Sequence, residues 1–166
     1  MRSDIFVAYL PGQHTPYTRM TQKGKWKSAA ARKYLESQDR LRGCLMEAKM
    51  TQGYTTEPIF ERRTPLRMVL LYDWCLNNQD LSNLLKAVED AANGIVWDDD
   101  RWVDEILTTR HKRGRKGMAV LIVMPVSIEW EAWDDLVNDS AVISALRIFH
   151  ELRDHRWKSR HQGPDD

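Results

Sequence analysis

Asp80-Leu-Ser-Asn-Leu-Leu-Lys86, followed after a short interval by Val96-Trp-Asp-Asp-Asp-Arg-Trp-Val103, carries most of the structural and chemical information in the chain. Upstream, the run Pro65 to Trp74 is apolar, β-branched and aromatic, and reads as a strand ending just before Asn77-Asn78-Gln79-Asp80. A helix begins there. Leu81, Leu84, Leu85, Val88, Ala91 and Ala92 mark its buried side, and Asn93-Gly94 is its stop signal. Downstream, Trp102 to Thr109 and Met118 to Pro125 are two strand-like runs, and Arg110 to Gly117 between them reads as a basic hairpin tip with five Lys/Arg and no acid.

Towards the N-terminus, Ile5 to Leu10 reads as a first strand closed by Pro11-Gly12. Gln13 to Lys27 is polar and basic with Tyr17 and Trp26 interleaved, the composition of an exposed loop or hairpin. Ser28 is a plausible N-cap for a helix through about Ala48, with Ala31, Tyr34, Leu35, Leu41, Leu45 and Met46 at three-four spacing and Lys27, Arg32, Lys33, Arg40 and Arg42 on its wet faces. Beyond Pro125 the pattern is helical again, first over Ile128 to Val137 and then, capped by Ser140, from Ala141 to about Asp154. The expected organisation is one domain over residues 1–126, a C-terminal helical extension over 127–154 packed on that same domain, and a disordered tail over 155–166.

A length of 166 residues with 42% hydrophobic and 30% charged side chains describes one folded domain rather than two or a disordered chain. The longest apolar stretch, Met118 to Pro125, is too short to cross a bilayer, and no leader opens the chain, so the expected compartment is the cytoplasm and no membrane partner is expected. Cys44 and Cys75 are isolated, which excludes a disulfide framework or a zinc finger as a pattern. The net charge of +1 hides segregation, because residues 18–50 hold nine Lys/Arg against three acids while residues 80–105 hold eight acids against two bases. Such a dipole suits a polyanion partner beside a metal site, or two complementary surfaces.

The carboxylates point to the chemistry. Asp80 lies at a strand-to-helix junction and Asp98, Asp99 and Asp100 follow that helix, whose length of roughly 20 Å lets them converge only if the later loop folds back towards the helix start. Hard oxygen ligands of this kind hold Mg²⁺ or Mn²⁺ for attack on phosphate. Each element also has a plain structural reading: Asp80 as an N-cap, Asp98 to Asp100 as a solvated turn, Lys86 as an exposed helix lysine. Asn83 and Lys86 lie three apart on the polar side of the helix and would offer an amide and a cation near Asp80. His150 and His155 are five apart, the wrong spacing for a zinc protease helix, and there is no Gly-rich phosphate loop.

The set Asp80-Leu81, Asn83-Leu84, Lys86-Ala87, Asp90-Ala91, Gly94, Asp98-Asp99 and Val103-Asp104 resembles, at matching spacing, the RusA family of Holliday junction resolvases, common in prophages. The looser likeness runs through Pro125. It implies an α+β fold, a mixed β-sheet with flanking helices, here with the C-terminal helical extension added. It also implies a metal-dependent homodimeric endodeoxyribonuclease that cuts four-way DNA junctions symmetrically. By position, Asp80 and Asp99 match two catalytic acids and Lys86 the lysine that the family needs. The aspartate usual two residues after the first is Ser82 here, and Asp98 or Asp100 is available as a substitute ligand.

The roles that follow put Asp80, Asp99 and Asp98 on Mg²⁺ or Mn²⁺, Ser82 and Asn83 on ligands or water, and Lys86 on the charge developing at the scissile phosphate. Arg19, Lys23, Lys25, Lys27 and Lys33, with Lys86, Arg110, Lys112, Arg113, Arg115 and Lys116, are expected on DNA phosphates. Ser82 can share a ligand with Asp80 only if Asp80 stands outside regular helix, as an N-cap does. Two rivals stand beside the nuclease: a junction-binding module that has lost cutting through Ser82, and a protein-interaction domain using the C-terminal helices.

Overall fold

The computed structural model describes residues 5–17, 28–73, 79–111 and 118–128. The chain divides into two units, residues 1–128 and 129–166, and every described residue lies in the first. The expected C-terminal extension and tail therefore lie outside the described residues, except for Ser127 and Ile128, which belong to a turn after the last strand.

The elements in order are β1 (Phe6–Pro11), α1 (Ala29–Thr51), β2 (Leu66–Asp73), α2 (Leu81–Ala92), a single 3₁₀ turn (Asp100–Trp102), β3 (Val103–His111) and β4 (Met118–Pro125). The strands form one mixed sheet in the order β1-β4-β2-β3. β4 runs antiparallel to both β1 and β2, while β3 lies parallel to β2 at the edge. This is an α+β fold. Parallel neighbours need a long crossover, and α2 supplies it between β2 and β3.

The expected hairpin between the last two strands is not formed, because β2 lies between β3 and β4. Tyr72 pairs with Arg110 on one side and with Ala119 on the other. Passing one strand requires about 10 Å, well within reach of residues 112–117, so a polar glycine-containing link serves a skipped strand as readily as a tight hairpin. The strand pattern of β4 agrees with its central place. Met118 to Met124 are all buried, as a strand covered on both faces must be, rather than alternating.

Alternate residues of three strands, Phe6, Ala8 and Leu10, Leu66, Met68, Leu70 and Tyr72, and Ala119, Leu121 and Val123, make the face on which Leu41 and Leu45 of α1 and Leu84, Val88 and Ala91 of α2 pack. Burying each such Leu or Val contributes about 1.5–3 kcal/mol. Ser28 caps α1 as expected, its Oγ accepting from the Ala31 amide at 3.0 Å. The helix runs one turn further than Ala48 because Gln52 closes it, donating to the Ala48 carbonyl while clamping both backbone groups of Val7 on β1. Gln38 and Arg42 tie α1 to α2. Arg42, expected on a wet face, donates to the Ala91 and Asn93 carbonyls at 3.2 Å each, satisfying the end of α2. Gly94 then takes a positive φ of 80°, and the fully buried Trp97 anchors the chain just before the acidic turn.

Candidate active site at the start of the second helix

All three parallel-running strands β1, β2 and β3 end where β4 begins, so Pro11, Asp73, His111 and Met118 meet at one end of the sheet. Asp80 sits at that end. It is the N-cap of α2, in extended conformation with φ −72° and ψ 126°, and its position outside the helix lets its neighbours reach it. One carboxylate oxygen accepts from the Ser82 amide at 3.0 Å and from the Ser82 hydroxyl at 2.9 Å; the other accepts from the Asn83 side-chain amide at 3.3 Å. The N-cap geometry required for Ser82 to share the site is thus observed, and Asp80 and Ser82 are both exposed.

Backbone and side-chain bonds fasten this corner. The Tyr17 amide donates to the Asn83 carbonyl at 2.8 Å, Gln79 donates to the His14 carbonyl at 3.2 Å, and Arg110 donates to the Gln79 carbonyl. Tyr72 on β2 donates to the Leu84 carbonyl at 2.9 Å. Tyr17, the residue before the basic stretch 18–27, therefore lies beside Asn83, and His111 and Met118, the residues either side of the basic stretch 112–117, lie at the same sheet end. Of the expected DNA contacts, Lys33 is exposed on α1 and Arg110 is engaged as above, while Arg19, Lys23, Lys25, Lys27, Lys112, Arg113, Arg115 and Lys116 lie outside the described residues.

Lys86, two turns along α2, is gathered into a different group. Its ammonium pairs with Asp100, with Asp90 at 3.3 Å and with Glu89 at 3.9 Å. Burial works against its charge, but the hydrogen bond with Asp100 and the charge of Asp90 outweigh it and hold the lysine above its ordinary range. Burial also pushes the Glu89 carboxyl up. Asp90 in turn accepts from the Tyr34 hydroxyl at 2.9 Å, and the Tyr34 ring meets Tyr17 edge-on with centroids 5.8 Å apart.

Asp99 caps the 3₁₀ turn. One oxygen accepts from the Arg101 guanidinium at 2.6 Å and the other from the Arg101 amide at 3.1 Å, and these bonds hold its carboxyl below the usual range. Asp98 pairs with Arg62 at 3.4 Å. The structure thus brings Asp80, Ser82 and Asn83 together, and separately Lys86 with Asp100. Among the described residues no group of three or more His, Cys, Asp or Glu side chains is placed to hold a metal ion.

The sequence assigns no site role to Asp90, which enters only through the family resemblance, nor to Tyr34 or His14. Asp90 stands four residues after Lys86, a helix-face spacing that could have found it; Tyr34 was counted only as core. His14 had no local signal. Its ring is buried against Tyr72, centroids 5.8 Å apart, and neither ring nitrogen has a hydrogen-bond partner among the described residues. Burial drives its pKa down to about 4, with the Arg40 charge adding to the effect.

The family model described as endodeoxyribonuclease RusA matches residues 9–123, from within β1 to within β4 and including every residue of both clusters. No curated protein matches the chain significantly.

Proposed function

The chain belongs to the RusA endodeoxyribonuclease family, and from that premise we propose that it resolves four-way DNA junctions by paired, Mg²⁺- or Mn²⁺-dependent phosphodiester hydrolysis as a homodimer in the cytoplasm. The observation that carries the reading is the Asp80 cap. An exposed carboxylate, a hydroxyl and an amide are held together at the sheet end that also holds His111 and Met118, the residues either side of the basic stretch 112–117.

The donor chemistry fits a hard cation. Mg²⁺ is bound through one or two carboxylates and completes its shell with water and substrate phosphate, so a full protein cage is not required. A carboxylate is an acceptor only, so Ser82 must donate its proton to Asp80, which leaves the hydroxyl lone pairs turned outward. Asn83 donates through its NH₂ and keeps its carbonyl oxygen for a water. Asp80 and Asp99, with Asp98, would hold the ion. For Asp99 this requires giving up its contact with Arg101, an exposed pair that solvent screens.

When bound, the metal supplies positive charge that acidifies a coordinated water and offsets charge on the phosphate. Lys86 offsets the charge that develops in the transition state. The basic residues at 19, 23, 25, 27 and 33 and at 110, 112, 113, 115 and 116 hold the junction arms through phosphates. Two matched incisions require two sites related by a two-fold axis, which a homodimer supplies.

The test compares a four-way junction with linear duplex of the same sequence, in Mg²⁺ and in EDTA. Symmetric nicks on the junction in Mg²⁺ alone, lost in Asp80→Asn while binding persists, support the reading. Tight junction binding without any cutting by the wild-type chain would establish the second reading, a junction-binding module that has lost cutting through Ser82.

A further inference from the structure

We propose that Asp90, held by Tyr34, is a positioning residue that fixes the Lys86 ammonium for the scissile phosphate. This rests on the reading of Lys86 as the charge-offsetting lysine. Asp90 uses its two oxygens on two different elements: Oδ1 faces Lys86 at 3.3 Å on its own helix, and Oδ2 accepts from Tyr34 of α1 at 2.9 Å. It is a bridge, not a loose surface acid.

Three points argue for positioning over simple charge balance. A lysine four residues before an aspartate is the weaker order for helix support, so helix stability alone gives little reason for the pair. Lys86 carries a long stem with large rotamer freedom, and carboxylates of two different elements, Asp90 at 3.3 Å and Asp100, pair with its ammonium and narrow that freedom. Tyr34 is 3% exposed, so its hydroxyl is set by core packing and cannot follow a swinging carboxylate. The same ring packs against Tyr17, whose amide donates to Asn83, so the bridge also joins the root of the basic stretch 18–27 to the site.

Single-turnover cleavage of a saturating four-way junction by the full chain tests this, with junction affinity measured in parallel. Asp90→Asn is expected to lower the cleavage rate at least tenfold while the dissociation constant stays within threefold, and Asp90→Glu to recover part of the rate. Tyr34→Phe keeps the packed ring and removes only the hydroxyl. It should slow cleavage several-fold and add nothing when combined with Asp90→Asn, because both act through one bridge; should Asp90→Asn fail to fold, Tyr34→Phe carries the test. Wild-type rates in Asp90→Asn or in Tyr34→Phe, losses that multiply in the double variant, or losses of rate and affinity in equal measure overturn the positioning role. Lys86→Ala separates the two readings. Full cutting by that variant sinks the role of Lys86 itself, whereas a dead Lys86→Ala beside a fully active Asp90→Asn sinks only the inference.

Discussion

His14 makes the folded chain sensitive to acid, and the size of the effect follows from its burial. In the unfolded chain the imidazole titrates at about 6.5, whereas in the fold its pKa is lowered to about 4 because burial penalises the charged ring. A depressed folded pKa means that the unfolded state binds the proton more readily. The stability at stake is therefore present in full above pH 6.5 and is lost progressively as the pH falls towards 4. At about 1.4 kcal/mol per tenfold change in proton affinity, the difference amounts to about 3 kcal/mol. The ring is only 6% exposed, so solvent screening does not reduce this appreciably. His14→Phe keeps an aromatic edge against Tyr72 and cannot titrate. Urea unfolding followed by tryptophan fluorescence at pH 7.5 and pH 4.5 should show the wild type losing about 2–3 kcal/mol more than the variant, the carboxylates being common to both. Equal losses in the two proteins would show that His14 finds a partner for its proton and that the argument from burial is wrong.

Ser82→Ala should reduce cutting modestly, because Asp80 keeps its Asn83 contact and its place as the cap, and Ser82→Asp should lower the metal concentration needed for half-maximal cleavage while maintaining or raising the rate; identical metal titrations in all three proteins would place Ser82 outside the site. Asp80→Ala should cost about 1 kcal/mol of stability through the lost cap as well as all cutting, whereas Asp80→Asn, an equally good cap, should lose cutting alone, as thermal melts beside cleavage assays would report. Neutralising Arg113 and Arg115 together should flatten the slope of log affinity against log salt by about two, and an unchanged slope would remove that stretch from the DNA contact.

Local signals were legible and long-range ones were not. The apolar runs of β1, β2 and β4, the three-four stripes of both helices and the caps Ser28 and Asp80 are properties of a few adjacent residues, and they stand where the sequence puts them. The order of strands is different in kind. The link at residues 112–117 has the same composition whether it joins neighbours or steps past β2, and only pairing with Leu66 to Asp73 decides. The site divides in the same way. Asp80, Ser82 and Asn83 meet because an N-cap and its first turn are local, but the partner of Lys86 among three successive aspartates depends on how Trp97 anchors the chain returning from α2. His14 was invisible because nothing around it in sequence foretells burial against Tyr72.

Whether Asp80 and Asp99 share a metal ion is read from the anomalous difference density of a crystal of the full chain soaked in Mn²⁺. A peak is expected within coordination distance of an Asp80 carboxylate oxygen, with Asp99 turned from Arg101 onto the same ion. A well-occupied Mn²⁺ on the Asp98 to Asp100 turn that leaves Asp80 unliganded, or no ion at Asp80 at concentrations that support cleavage, would contradict this expectation.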